Sequence, residues 1–319
     1  MAMTTVGFHC SHEQVHPRQL LADVQAAQDA GFDVAMCSDH WALWGSNQGQ
    51  SGFTWSWLGA ALATTDLRMG CVTAPGYRYH PAILAQASAT LAAMFPGRFW
   101  VALGTGEYLN EHITGERWPN KALRQERLLE CADIIRRLHR GETVSHEGHV
   151  SVNEARLWTL PDEPPPLIQP AVSPATAASG ASWADGVATI NQPPDRLRSV
   201  IDAYRDAGGD GTLILQVHVS WAPTEQEALG IARDQWRTNV FPPPVCWDLT
   251  PAHLDAVSRF VTDEQLRESV VIGSDLGELT ERIRALVDLG FDEVYLHHVG
   301  QSQAAFIEAF GAHVVPQLR

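Results

Sequence analysis

Phe32-Asp33-Val34-Ala35-Met36-Cys37-Ser38-Asp39-His40-Trp41-Ala42-Leu43-Trp44 is the stretch on which the fold turns. An apolar run, Val34 to Cys37, follows the helix-ending pair Ala30-Gly31 and runs straight into groups that take protons, donate hydrogen bonds and stack. Such a run reads as a buried parallel strand with chemistry at its C-terminal end. A strand followed by an ordinary polar loop is the alternative, and the rest of the chain decides between them.

Outward from this stretch, the pattern repeats. Strands are expected at Val6–His9, Arg68–Thr73, Arg98–Gly104, Leu167–Val172, Gly186–Ile190, Thr212–His218 and Glu293–His297. Pro17, Pro81 and Pro174 sit where a first helical turn accepts proline, and helices are also expected at 55–64, 121–139, 224–240 and 303–315. Asp29-Ala30-Gly31-Phe32-Asp33, Asp206-Ala207-Gly208-Gly209-Asp210 and Asp288-Leu289-Gly290-Phe291-Asp292 each end a helix and launch a strand. Residues 143–160, alternating around Glu147-Gly148, predict a small hairpin. The Pro242-Pro243-Pro244 run and residues 248–270 read as an irregular insertion. A doubly wound open sheet alternates in the same way, but eight strands in 319 residues favour an α/β fold of (β/α)8 (TIM) barrel type with insertions, one domain over residues 1–319.

Composition narrows the partners. A hydrophobic share of 45% with 11 Trp and 10 Phe supports a large core, and the net charge of -15 disfavours nucleic acid and acidic membranes. Cys10, Cys37, Cys71, Cys131 and Cys246 are scattered without a CxxC pair, which fits free thiols in a reducing compartment. With no basic leader and no span long enough for a bilayer, a cytoplasmic protein is expected.

In such barrels the strand C-termini share one face, where active sites lie. Those ends carry His9, Asp39, His40, Thr73, Gly106, Glu107, Val172, Ser173, Asn191, His218 and His297. His40 titrates nearest neutrality and suits acid–base work, Glu107 is its complement if burial raises its pKa, and Trp44 offers a stacking face. Each has a structural alternative: His218 and His297 as satisfied barrel histidines, Trp44 as core.

The runs Ser38-Asp39-His40 with Trp44, Arg78-Tyr79-His80-Pro81, Phe95-Pro96-Gly97-Arg98, Gly104-Thr105-Gly106-Glu107 and Leu109-Asn110-Glu111 resemble the luciferase-like flavin and deazaflavin oxidoreductases. The resemblance is nearest the F420-dependent glucose-6-phosphate dehydrogenase branch and its FMN-using relatives. It implies a homodimeric enzyme that passes a hydride between a bound ring and a small organic substrate. By resemblance, His40 is the active-site base, Trp44 supports the reacting carbon and Glu107 is the second acid/base. A cofactor cradle is likewise implied at Asp39, Cys71, Val72, Thr73, Thr105, Gly106, Asn110, Ala171, Val172, Ser173 and Thr176, with a non-prolyl cis peptide at Val72.

Two departures bear on the cofactor and the substrate. The sugar-phosphate branch has a Gly-Gly turn after strand five, whereas Ala171-Val172-Ser173-Pro174-Ala175-Thr176 supplies two hydroxyls at a helix N-terminus, a phosphate cradle of flavin type. Gln192, Ala256 and Ser269 stand where that branch places basic residues for a sugar phosphate. The turn and the acidic surface make FMN the expected cofactor, with F420 the alternative, and no metal ligand set is expected. A metal-dependent barrel hydrolase and a non-catalytic cofactor-binding barrel are the competing classes. The first lacks a His-x-His pair on strand one, and the second fits poorly with an intact His40 and Glu107.

Overall fold

The structure is a computed structural model that describes residues 4–241 and 246–319. Eleven strands are found among these residues: β1 (Thr5–Cys10), β2 (Val34–Ser38), β3 (Arg68–Thr73), β4 (Phe99–Leu103), β5 (Val144–Glu147), β6 (Ser151–Ala155), β7 (Leu167–Pro170), β8 (Gly186–Ile190), β9 (Thr212–Trp221), β10 (Val271–Gly273) and β11 (Glu293–His298). Eight of them pair in parallel in the cyclic order β1-β2-β3-β4-β7-β8-β9-β11, and the β8–β9 and β11–β1 pairings close the ring. That closure decides for the barrel over an open sheet. Strands β5 and β6 form the expected antiparallel hairpin. The helix-to-strand echoes have one cause: Gly31, Gly208 and Gly290 all adopt positive φ (94°, 92° and 111°), which lets the chain leave a helix at low steric cost.

The insertion is more regular than its sequence suggests. Helices occupy Pro251–Ser258 and Asp263–Ser269, each opened by a threonine, Thr250 or Thr262, in a reciprocal capping box with the residue three positions on. The short β10 then extends the sheet along the end of β9, with Val219 to Trp221 paired to Val271 to Gly273. The Pro242-Pro243-Pro244 run lies outside the described residues. Among the described residues no helix is long and apolar enough to cross a membrane.

Two hydrophobic shells hold the barrel. Outward-facing strand residues pack under the helices, and the in-register row Cys10, Cys37, Cys71 belongs to this outer shell. Inside the ring, Val34, Met36, Trp100, Ala102, Ile168, Ala188, Ile214 and Tyr295 form a separate apolar plug. Because strand side chains alternate, the next inward positions toward the C-terminal mouth are His9, Ser38, Gln216 and His297. The plug therefore gives way to polar groups just where the cavity opens.

Trp100 and Tyr295 fit within the ring because two glycines face them. A Cβ on Gly70 would lie 1.9 Å from the Trp100 indole, and one on Gly7 would lie 2.3 Å from the Tyr295 ring. Gly70→Ala is expected to destabilise the protein by about 1–3 kcal/mol through overpacking. Gly59→Ala, with nothing within 4 Å of the added methyl, is expected to stabilise it by roughly 0.4–1 kcal/mol, since glycine is a poor helix residue. Urea denaturation of the two variants checks the contrast; equal stabilities would refute it.

Candidate active site

A cavity of about 280 Å³ opens at the C-terminal mouth of the barrel, close to the lower end of the roughly 300–1,000 Å³ usual for ligand pockets. His40, Trp44 and Glu107 all line it. His40 leaves the end of β2, and its Nδ1 lies 2.9 Å from Oε1 of Glu13, in the loop after β1. Its Nε2 faces Oε2 of Glu107 at 3.9 Å. The Trp44 ring stands edge-on to the imidazole, 5.7 Å between centroids.

The electrostatics follow from these positions. Burial disfavours a charged His40, but the Glu13 carboxylate, with Glu107 behind it, outweighs burial and raises the pKa to about 9. Glu13 is buried too, and the His40 charge holds its carboxyl below the usual range. Burial pushes the Glu107 carboxyl up, while His40 opposes the shift. At neutral pH the structure thus presents an imidazolium with Nδ1 committed to Glu13 and Nε2 open to the cavity. The sequence reading did not single out Glu13; its signal was a carboxylate four positions beyond His9, in the first strand-to-helix loop.

Behind His40 lies a buried ion network. Arg78, 7% exposed at its side chain, contacts Asp39 Oδ2 at 3.4 Å and Glu111 Oε1 at 3.2 Å. It also donates to the Asp39 carbonyl. Thr73 Oγ1 donates to Asp39 Oδ2 at 2.8 Å and the Tyr79 hydroxyl to Oδ1 at 3.3 Å. Asp39 reaches the cavity wall with its carboxylate braced on several sides. Asn110 is similarly occupied: its Oδ1 accepts from the Trp41 and Ala42 amides at 2.9 and 3.2 Å, and its Nδ2 donates to Glu107 Oε2 at 3.1 Å. It clips the His40 loop to Glu107.

The remaining cradle positions divide. Val72, Thr73, Thr105, Gly106, Ala171, Val172 and Thr176 line the cavity, with Gly106 at a φ of 81°. Cys71 does not: strand alternation turns its side chain into the outer shell, fully buried. Ser173 is also absent from the lining, its hydroxyl paired with Thr176 Oγ1 at 3.0 Å. In its place the structure brings in Lys121, whose Nζ donates to Thr176 Oγ1 at 3.2 Å at the start of the helix Lys121–His139. A cation at a helix N-terminus suits an anionic group. Lys121 and Arg78 are the lining Lys or Arg residues among those described.

Across the barrel the wall is built from neutral imidazoles. His9, His218 and His297 are buried, and burial lowers their pKa values, to about 4 for His9 and about 3 for His218. His9 stacks on His297 with centroids 4.1 Å apart, and Trp236 packs against both His218 and His297. Asn191 does not line the cavity; its Oδ1 accepts from the His218 amide and its Nδ2 donates to the Ser269 carbonyl.

The ion network yields a stability expectation. Arg78→Met removes the cation that Asp39 and Glu111 share, leaving two buried carboxylates without it. Loss of about 3–5 kcal/mol is expected, as for breaking a buried pair, and thermal or urea unfolding checks it. A change under 1 kcal/mol would mean the network is not buried as described.

Comparison with known proteins supplies the context for this geometry. The chain matches the luciferase-like monooxygenase family over residues 1–293. It is 32% identical over 332 residues to an F420-dependent glucose-6-phosphate dehydrogenase of Intrasporangium calvum, covering 99% of each chain. It is 33% identical over 321 residues to an F420-dependent hydroxymycolic acid dehydrogenase of Mycobacterium tuberculosis, covering 98% of this chain and 88% of the relative. Among solved structures it resembles an F420-dependent secondary alcohol dehydrogenase in complex with an F420-acetone adduct, with a TM-score of 0.92, 28% identity and full coverage of both chains. The closed parallel barrel, the shared motifs and the full-length similarity agree: the chain belongs to the luciferase-like monooxygenase family.

Proposed function

We propose that the protein is an F420-dependent dehydrogenase that interconverts an uncharged secondary alcohol and its ketone. The observation that carries this reading is His40, held as a cation by Glu13 with Nε2 open to a cavity that, among the described residues, offers no cluster of cations for a substrate phosphate. Family membership sets aside the metal-dependent hydrolase. The relatives do not support the expected preference for FMN over F420, and they act, by name, on a sugar phosphate, a hydroxymycolic acid and a secondary alcohol.

The residues present fit a deazaflavin. Val72 and Ala171 offer apolar wall, Gly106 allows close approach, and Lys121 with Thr176 would hold the phosphate. F420, when bound, would supply the two-electron acceptor or donor that alcohol–ketone interconversion requires. His40 Nε2 handles the hydroxyl proton: the imidazolium donates it to a ketone oxygen, and the neutral ring accepts it from an alcohol. Glu13 fixes the ring by its Nδ1 side and stabilises the charge that forms. Trp44 and Trp236 crowd the substrate space with aromatic surface. Arg78 is committed to Asp39 and Glu111, and Lys121 is the other lining Lys or Arg among the described residues, so an alcohol without a phosphate suits the cavity.

The experiment is a fluorescence titration with F420 and a parallel flavin titration with FMN, followed by assay of secondary alcohols and ketones. Saturable F420 binding with alcohol turnover is expected; binding of FMN alone would overturn the reading. His40→Ala is expected to lose about 10²–10⁴-fold in turnover while retaining F420 affinity.

The pH dependence has a definite sign. Ketone reduction uses protonated His40 and is expected to hold below about pH 9 and fall above it, while alcohol oxidation rises with pH toward the same inflection. In Glu13→Gln the opposing charge is gone and burial dominates, so both inflections are expected to move to lower pH. An unmoved profile would remove Glu13 from the proton chemistry.

A further inference from the structure

The imidazole wall carries a side-chain carbonyl that no hydrogen bond among the described residues uses, and its polarity can be worked out. Gln14 Nε2 donates to the Val299 carbonyl and, at 3.3 Å, to Gln235 Oε1. Gln14 Oε1 must therefore be the acceptor in its 3.0 Å contact with His297 Nε2, which puts the His297 proton on Nε2. His297 Nδ1 is then bare and accepts from Gln216 Nε2 at 3.1 Å. The second proton of that amide meets His218 Nε2 at 3.2 Å. Both protons of the Gln216 amide are thereby spent, and its orientation is fixed by neighbouring imidazoles of the same wall. Among the described residues no hydrogen bond reaches Gln216 Oε1, while Gln216 itself lines the cavity.

The place of this carbonyl in the ring matters as much as its polarity. In the cyclic strand order, β9, which bears Gln216, lies opposite β3, which bears Val72 and Thr73 of the cofactor cradle. The acceptor thus faces the cradle across the cavity, on the substrate side. His9, stacked on His297, brings the same wall round toward the Ser38–His40 end of β2, with His9 Nε2 3.4 Å from Ser38 Oγ. The imidazoles on either side are buried and neutral, so the wall offers hydrogen bonds without charge.

We propose that Gln216 Oε1 is a substrate-recognition acceptor and that the site takes an uncharged secondary alcohol bearing a second hydroxyl group, oxidising it to the hydroxyketone. This rests on the dehydrogenase reading above and adds the substrate class to it. An acceptor with no donor of its own selects a hydroxyl over a methyl, an ether or a ketone at that position, because each of these would bury the carbonyl unpaired. Carboxylates and phosphates are disfavoured at the same point, since a carbonyl oxygen and neutral rings offer them no counter-charge.

The test compares 2,3-butanediol, 2-butanol and 3-methoxy-2-butanol in two ways: kcat/KM with F420, and calorimetric binding to the protein without cofactor. The diol is expected to exceed both analogues by roughly tenfold, the scale of one neutral hydrogen bond, and Gln216→Leu is expected to erase that ratio while leaving F420 affinity unchanged. If Gln216→Leu does not fold, the methoxy analogue still decides, because it fills the space without donating. Alcohol turnover without a preference for the diol overturns the inference and spares the dehydrogenase reading. Preferential diol binding without F420 turnover sustains the acceptor and sinks that reading. A Gln216→Leu protein that loses F420 affinity and keeps the diol ratio would assign the carbonyl to a cofactor hydroxyl, which also overturns the inference.

Discussion

The contact between Glu13 and His40 is the constraint on which the site depends. An imidazolium buried beside tryptophan is costly unless a carboxylate is placed against it, and Glu13 sits 2.9 Å away with little freedom to leave. The surrounding charges are arranged around that pair. Four carboxylates, Glu13, Asp39, Glu107 and Glu111, share two cations, His40 and Arg78. Full ionisation would leave two negative charges uncompensated in a poorly hydrated site. Burial accordingly raises the Glu107 and Glu111 carboxyls, and protonation of Glu107, whose neighbour His40 is already paired with Glu13, is one way to relieve the excess charge. Asn110 holds that option open by tying Glu107 to the backbone after His40.

The barrel makes such a cluster possible by ending its apolar filling one layer below the mouth. Trp100 and Tyr295 occupy the interior that Gly70 and Gly7 leave free, so the lower ring is solid. One step up, the inward positions of β1, β2, β9 and β11 become His9, Ser38, Gln216 and His297. These groups are tolerable there because they hydrogen-bond one another or face the cavity. Packing below and polarity above are the same alternation of side chains read at two heights.

Much of this was legible in the chain. Apolar runs ending in Asp39-His40, Gly106-Glu107 and His218 placed the strands, and the glycine echoes placed the helix ends, because both are local effects of periodicity and backbone geometry. The two insertion helices were missed because their signal is the capping chemistry of Thr250 and Thr262 rather than an apolar stripe. Glu13, Arg78 and Lys121 acquire their roles only through contacts across 27 to 55 residues of chain: Glu13 to His40, Arg78 to Asp39, Lys121 to Thr176. No spacing rule within one segment reports such meetings. Cys71 shows the converse, since a one-residue step along β3 separates the cavity-lining Val72 from a side chain buried in the outer shell.

Cofactor choice turns on the same difference between sums and places. A net charge of -15 argues against an anionic cofactor tail only if the potential at the binding site follows the total. It does not have to. Salt screens exposed charges beyond about 8–10 Å, so an anion at the cradle responds mainly to Lys121, the helix N-terminus beside it and the hydroxyl of Thr176. Those groups are positive or donating, whatever the far side of the barrel carries. The Thr176 hydroxyl beside Lys121 would suit the phosphate of either cofactor, because such a pair meets phosphate oxygens rather than the ring attached to them. What separates the two ligands lies beyond the phosphate, and the full-length relatives, all three compared by name with F420, weigh on that side.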